Sequence, residues 1–312
     1  MKRAEFLNML IAVILAGGLS RRFGRDKLLV EVNNTNVITK VAKAVHGVAD
    51  KVLISVRDEA KGQLLMEKLG DLCQGIVTDL EDIEFSGPLR GMLSCISKIG
   101  PGDVLFVPGD MPWLDAGALA SFFEACKSCG ATSGSIIWDN GLVEVLIQYH
   151  SKDARVGKNL KVCKARGSIA RVSDMLRTSE KACYVPAGNL TDNPLVFSNI
   201  NTIEDLKNPK PRGRLIKGEA IVIESEYFWK AFEFWMHNDF APAAEIYELE
   251  GDVNASLGVH HIALHAYIDA AMCLGSMHKN ELEKKITEEK LTLMKSYAGY
   301  TNESFTSTRN EV

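Results

Sequence analysis

The sequence predicts an α/β protein: a doubly wound, mostly parallel sheet followed by an α-helical part. Three observations predict it. Apolar, strand-like runs alternate with helical patterns from Leu10 to about His150. The first of these runs passes directly into a polar loop opened by two glycines, "ILAGGLSRRFGRDKLL". Near Lys207 the composition changes, and the remainder of the chain reads mostly as helices. Regular alternation of strand and helix implies parallel βαβ units and a Rossmann-like sheet with helices on both faces. Such sheets bind ligands beyond the carboxyl ends of their strands.

The elements come in order along the chain. "LIAVILA" is apolar throughout, as a strand buried on both faces is. "NVITKVAKAVHGVAD" has helical periodicity, "KVLISV" is a second strand, "RDEAKGQLLMEKLGD" a second helix and "GIVTD" a third, short strand. "GPLRGMLSCISKIG" opens a helix after a turn, "DVLFVPGD" is a fourth strand, and "DAGALASFFEACKSCG" is another helix. "SGSIIW" and "VEVLIQYH" add further strands.

"KNPKPRGR" holds two prolines and four basic residues and reads as a linker, 207–218, between a domain at 1–206 and a helical domain at 219–300. Few contacts should cross such a joint, so the first ~205 residues are expected to fold alone. Beyond it lies a short apolar strand, "EAIVIE". Phe228, Ala231, Phe232 and Trp235 then form one apolar helical stripe. Asp239 can cap the next helix, with Pro242 in its first turn and Gly251 past its end. A third helix is expected over Asp252 to Leu274 and a fourth over Asn280 to Ser296. The tail, 301–312, reads as disordered.

A net charge of -4 over 312 residues gives no reason to expect nucleic acid as partner. Seven cysteines, odd in number and scattered, form no disulfide framework and suit a cytoplasmic protein. "CKSC", from Cys126 to Cys129, lacks the second pair that a structural zinc site needs. The start "MKRAEFLNMLIAVILAGG" has the order of a signal peptide. Cleavage there would destroy the glycine-opened loop, so it is read as a buried first strand. No other stretch approaches the ~20 apolar residues of a membrane span, and no membrane association is expected.

A polyphosphate needs backbone N–H groups turned toward it, close approach of the main chain and cations that do not titrate. "AGGLSRRFGRDK" offers all three. Gly17 and Gly18 can turn the chain and aim amides inward. Ser20 can add a hydroxyl or a cap, and Arg21, Arg22 and Lys27 supply charge. The loop has neither the Walker A spacing nor GxGxxG. In "VLFVPGDMPWL", Asp110 ends a buried strand, where it can hold Mg²⁺ against phosphate oxygens. In "SNINTIEDL", Asn199 and Asn201 alternate on a strand end, and Thr202 can cap a helix with Glu204 and Asp205 in its first turn.

In the helical part, His261, His265 and Asp269 share one face at i, i+4 and i+8. That spacing can hold a metal, and equally serves interhelical hydrogen bonds. Tyr227, Phe228, Trp229, Phe232, Phe234 and Trp235 are too many for one face. They read as core, part of which can serve a protein interface.

"LAGGLSRRFGRDK", "SGPLRGMLS", "PGDMPWL" and "NINTIEDL", in this order and spacing, resemble the molybdenum cofactor guanylyltransferase family over roughly Leu10 to Leu206. The resemblance implies a sheet of the nucleotidyltransferase type and transfer of GMP from GTP to molybdopterin with Mg²⁺, releasing pyrophosphate. It implies that Leu15, Ala16, Gly17, Gly18, Arg22, Lys27, Asp79, Gly87 and Asp110 bind the nucleotide. Arg22, Lys27 and Asp110 would serve catalysis, Asp110 as metal ligand, with Asn199 and Asn201 on the acceptor side. Two features depart from the family. The loop between Gly24 and Lys27 is slightly short. After the second strand, Val56 and Arg57 stand where an asparagine near the guanine is frequent, so base identity is less firmly implied than nucleotidyl transfer. A cytidylyltransferase, or an enzyme for another phosphorylated acceptor, is the sister reading; a non-catalytic nucleotide-binding regulator is the rival from another class. The helical domain would then serve partner binding, to molybdoenzymes or other cofactor-biosynthesis proteins.

Overall fold

The computed structural model describes residues 9–18, 20, 23–81, 87–100, 102–152, 158–224, 226–275 and 279–295. Its first strand, β1 (Leu10–Leu15), is the predicted apolar run. A two-stranded hairpin comes next, β2 (Glu31–Val32) and β3 (Thr35–Asn36). Its turn residues Asn33 and Asn34 both have positive φ, 54° and 58°, as a type I′ turn requires. Helix α1 (Val37–His46) buries Val37, Ile38, Val41, Ala42 and Val45 along one stripe. Then come β4 (Lys51–Val56), α2 (Glu59–Leu69), β5 (Ile76–Thr78), α3 (Pro88–Lys98), β6 (Asp103–Pro108) and α4 (Ala116–Ser128). Asp58 and Asp115 cap α2 and α4, their carboxylates accepting from the N–H groups of Lys61 and Ala118. Strands β7 (Ser133–Ile137) and β8 (Val143–His150) form an antiparallel hairpin.

Three further elements carried no clear sequence signal: α5 (Lys158–Arg166), the one-turn α6 (Asp174–Arg177) and β9 (Lys181–Pro186). The chain continues through α7 (Ile203–Lys207), β10 (Ile221–Glu224), α8 (Tyr227–Met236), α9 (Phe240–Ser256), α10 (His260–Leu274) and α11 (Lys279–Lys295).

The eight-stranded sheet has the order β10-β9-β7-β8-β6-β1-β4-β5. β1 lies parallel between β6 and β4, β5 continues parallel beyond β4, and β7 is parallel to β9. β8 runs antiparallel to both β6 and β7, and β10 antiparallel to β9. The carboxyl ends of the parallel strands therefore share one edge with the start of β8. Alternate residues of β1 face opposite cores, Ala12 and Ile14 into the layer of α1 and α4, Ile11 and Val13 into that of α3. The predicted doubly wound, mostly parallel sheet is thus present, with helices after it. Among the described residues no helix is long and apolar enough to cross a membrane.

The structure corrects four expectations. The strand "EAIVIE" does not open a separate helical unit; as β10 it is the last strand of the sheet. The 207–218 segment, though mostly exposed, is not a free joint, because its backbone is bonded to the sheet domain, as at Gly188 N to Ile216 O, 2.9 Å. Gly251 does not end a helix. It lies inside α9 because a Cβ there would stand 2.3 Å from the ring of Tyr267, so glycine is what lets α9 and α10 approach. The turn falls instead at Gly258, φ +78°. Finally, Asn199 and Asn201 lie in irregular chain rather than on a strand end. The expected tail, 301–312, lies outside the described residues.

The expectation that few contacts cross from the sheet domain to the helices is also overturned. Val259 and Ile262 pack with Ile137, Val143, Leu176, Ala182 and Tyr184 against the sheet. Val162 of α5 joins the core of Phe228, Phe232, Tyr247 and Tyr267. Between these layers lies a buried network of three guanidiniums and three carboxylates. Asp269 accepts from Arg166 at 2.7 Å, Arg171 at 2.7 Å and Arg177 at 2.6 Å. Arg177 forms two parallel bonds to Glu250, both 2.7 Å. Asp174 neutralises Arg166 at 3.1 Å and Arg177 at 3.1 Å. Buried charges persist when paired and hydrogen-bonded, and these six come from both parts of the chain.

Candidate active site

β1 and β6 are neighbours, so the loops that leave their carboxyl ends meet at the ligand end of the sheet. Ala16 is tied down by its N–H to Ser55 O of β4 at 2.8 Å, and Gly109 N donates to Leu15 O at 3.0 Å. Gly17 and Gly18 come next. Among the described residues of the loop, Ser20, φ +50°, and Gly24, φ +75°, are left-handed, and the glycine pair is not. Ser20 Oγ accepts from Lys27 N at 3.2 Å, and Asp26 caps the short turn Lys27–Leu29 by accepting from Leu28 N at 3.1 Å. The loop therefore fixes the backbone of Lys27.

The Lys27 ammonium is seated among three oxygens. It donates to Asp110 Oδ2 at 2.5 Å, to Ile200 O at 3.0 Å and to Asn201 Oδ1 at 3.1 Å. Both Lys27 and Asp110 side chains are 15% exposed, so the pair is sheltered yet reachable. The oxygens are held in turn. Ile200 N donates to Asp110 O at 3.0 Å. Asn201 N donates to Asp205 Oδ2 at 2.7 Å, and Thr202 and Asp205 form the capping box of α7. A carboxylate, an amide oxygen and a main-chain carbonyl converging on a positive charge are the donors that suit a hard divalent cation such as Mg²⁺. Lys27 Nζ fills that spot here, so Asp110 and Asn201 fit the ion once the ammonium turns to a phosphate.

Beside this cluster lies a pocket of about 360 Å³, lined by Gly17, Gly18, Ser20, Gly24, Arg57 and Lys61 among others. Lys61 Nζ donates to Gly18 O at 3.0 Å and pairs with Asp26 at 3.3 Å. Sequence reasoning missed Lys61, whose signal was a lysine in the first turn of the helix after the second strand. Asp79 lies just past β5, two strands from β1. Burial pushes its carboxyl up, against the opposing charges of Arg90, Arg57 and Lys98. Gly87 caps α3 with φ +94°. Of the acceptor-side pair, Asn201 joins the Lys27 cluster, while Asn199 lies two residues upstream, half-buried. Arg22, with Arg21, lies outside the described residues. Lys27, Asp110 and Asn201 are thus brought together, Leu15, Ala16, Gly17 and Gly18 lie alongside, and Asp79 and Gly87 stand farther along the same edge.

The residues of the helical face have protein partners. His265 Nδ1 lies 2.6 Å from Ser173 Oγ, His261 Nδ1 lies 3.1 Å from Val143 O, and Asp269 belongs to the arginine network. Cys126 and Cys129 lie beside Cys183 of β9, whose thiol is drawn down to about 7, first by its hydrogen bond with Cys126.

The family model of the MobA-like NTP transferase domain matches residues 12–199. A relative from Thermococcus gammatolerans, named probable molybdenum cofactor guanylyltransferase, is 30% identical over 213 residues, 67% of this chain and 100% of that one. A relative of the same name from Pyrococcus horikoshii is 29% identical over 198 residues, 63% of this chain and 97% of that one. Among solved structures, the molybdopterin-guanine dinucleotide biosynthesis protein A from Archaeoglobus fulgidus aligns with a TM-score of 0.52 and 23% identity, covering 64% of this chain and 95% of that one, a likeness of fold. With a family match over more than half its length, this chain is a nucleotidyltransferase that belongs to the MobA-like NTP transferase domain family.

Proposed function

We propose that this protein is a molybdenum cofactor guanylyltransferase that transfers GMP from GTP to molybdopterin with Mg²⁺ and releases pyrophosphate. The observation that carries the reading is the Lys27 ammonium seated on Asp110 and Asn201, at the ends of β1 and β6. The names of the relatives support the choice of substrates.

A phosphate oxygen of the acceptor attacks the α-phosphorus of the nucleotide. The bond to the bridging oxygen of the β-phosphate breaks, and pyrophosphate leaves with that electron pair. The nucleophile is already anionic at neutral pH, so no strong general base is required. The chain must instead bring two polyanions together and neutralise the charge that develops. Lys27 does this for the triphosphate, Arg22 shares that task by the family resemblance, and the main chain of Leu15, Ala16, Gly17 and Gly18 receives the phosphates. Asp79 and Gly87 take the nucleoside end. Asp110 and Asn201 would hold Mg²⁺, and Asn199 flanks the acceptor. When bound, that ion supplies charge neutralisation at the phosphates.

The helices α8 to α11 serve partner binding in this reading, to molybdoenzymes or cofactor-biosynthesis proteins, in a cytoplasmic protein. The test is pyrophosphate release by the full chain with molybdopterin, Mg²⁺ and either GTP or CTP. Release with GTP is expected. Release with CTP alone selects the sister reading, and release with neither refutes nucleotidyl transfer to this acceptor.

A further inference from the structure

Five basic residues, Lys207, Lys210, Arg212, Arg214 and Lys217, fall within eleven positions beyond the family match. The segment that carries them passes the ends of β7 and β9, at Asp139 and Gly188. Ser198 Oγ donates to Lys210 O at 2.9 Å. Arg214 N donates to Asp139 Oδ1 at 3.1 Å. Gly218 exchanges two bonds with the Asn189 side chain, at 3.1 and 2.6 Å. The backbone is therefore pinned on both sides of Arg212.

Arg212 is held by a buried acid. Its Nε lies 3.1 Å from Glu144 Oε1, with Arg212 30% exposed and Glu144 4%. The same oxygen accepts from Trp138 Nε1 at 2.7 Å. Burial pushes the Glu144 carboxyl up, and Arg212 draws it back. A buried acid paired in this way orients the partly exposed guanidinium in front of it.

The order of strands says which half of the edge that guanidinium lies on. Along the ligand edge the sequence is β7 and β8 with Trp138 and Glu144, then β6 with Asp110, then β1 with Gly17 and Gly18, then β4 with Arg57. The pocket beside the glycine loop takes up the β1–β4 half of that edge. The β7–β8 half, on the far side of Asp110, is left for the second substrate. A planar, permanently charged fork suits a phosphate there. The wall is braced from behind. Gly141, φ +76°, lets the β7–β8 turn pass so close to α10 that a Cβ would stand 2.3 Å from Gly258 O, and His261 N donates to Gly141 O at 3.1 Å.

We infer that Arg212, oriented by Glu144, binds the phosphate of the acceptor substrate on the side of Asp110 opposite the nucleotide pocket. This rests on the nucleotidyl-transfer reading. The experiment is steady-state kinetics of the full chain with GTP, Mg²⁺ and molybdopterin, each substrate varied in turn. Arg212→Ala is expected to raise the KM for molybdopterin about tenfold, a difference of ~1.4 kcal/mol, with the KM for GTP within twofold. Arg212→Lys should recover part of the loss, since it keeps the charge without the fork. The Arg212→Ala, Glu144→Gln double variant removes the acid left without its cation and should show the same defect, so a folding fault in the single variant does not hide it. A parent chain without turnover overturns the transfer reading and this inference with it. A working parent whose alanine variants keep the molybdopterin KM within twofold overturns the inference alone.

Discussion

Asp269→Asn should strip the helices of their hold on the sheet domain without opening a cavity. Asp269 is 3% exposed and accepts three arginine bonds of 2.6 to 2.7 Å. The amide keeps its shape but loses its charge, and its NH₂ end meets guanidinium donors rather than accepting from them. Three buried cations then face two buried anions, Asp174 and Glu250. Breaking a buried pair in this way costs about 3–5 kcal/mol. With an unfolding entropy of about 2.1 cal/mol/K per residue, a chain of 312 residues has about 0.65 kcal/mol/K in all, so Tm should fall by about 5–8 °C. The assay is thermal melting followed by calorimetry. Asp192→Asn, at an exposed pair with Lys217, should leave Tm unchanged. Arg171→Met added to Asp269→Asn restores equal numbers of buried charges and should recover part of the loss, a coupling the double-mutant cycle reads directly. The pH dependence has a definite sign. Burial alone would raise the Asp269 carboxyl, but Arg166, Arg171 and Arg177 hold it well below the usual carboxylate range. Its contribution is therefore full above the unfolded value near 4 and lost only as pH falls toward the depressed folded value. Melting of Asp269→Asn within 1 °C of the parent, or a double variant no better than the single, would refute the reasoning.

Other outcomes rest on the same contacts. A chain cut after Asn208 loses Asp269 and Glu250, leaving Arg166, Arg171 and Arg177 with Asp174 alone, so it should give no cooperative melt. Lys27→Ala should lower turnover by about 10²–10³ with the circular dichroism spectrum unchanged, since Lys27 packs into no apolar core. Asp110→Asn should abolish the response of turnover to a magnesium titration; an unchanged titration curve would remove Asp110 from the metal site. His261 is pushed down to about 4 by burial. The unfolded chain takes up a proton below about 6.5 and the folded one does not, so stability should fall from pH 6.5 to 4 by up to ~1.4 kcal/mol per pH unit. Urea midpoints across that range should show a shallower slope for His261→Gln.

Apart from the β2–β3 hairpin, the strands and helices from Leu10 to His150 were legible because each carries its own pattern. β1 and β6 are apolar at nearly every position, α1 repeats its apolar stripe, and Asp58 and Asp115 announce their helices. That Lys27 and Asp110 meet was legible in part, because each follows a buried strand and parallel strands end on one edge of the sheet. β9 was not, since "KACYVP" has neither alternation nor a continuous apolar run, and its place is set by pairing with β7 and β10. The role of "KNPKPRGR" was not either. Proline, glycine and charge describe a linker and a pinned edge segment equally well, and what separates them is Asp139, Asn189 and Glu144, 29 to 75 positions away. The arginine network is the clearest case. Nothing local marks Arg166, Arg171 and Arg177 as buried, because burial of an ion depends on partners, and theirs arrive from Glu250 and Asp269, up to 103 residues later. Sequence reports what a residue can do locally; whether a charge is solvated, buried or paired is decided by which distant segments the fold brings beside it.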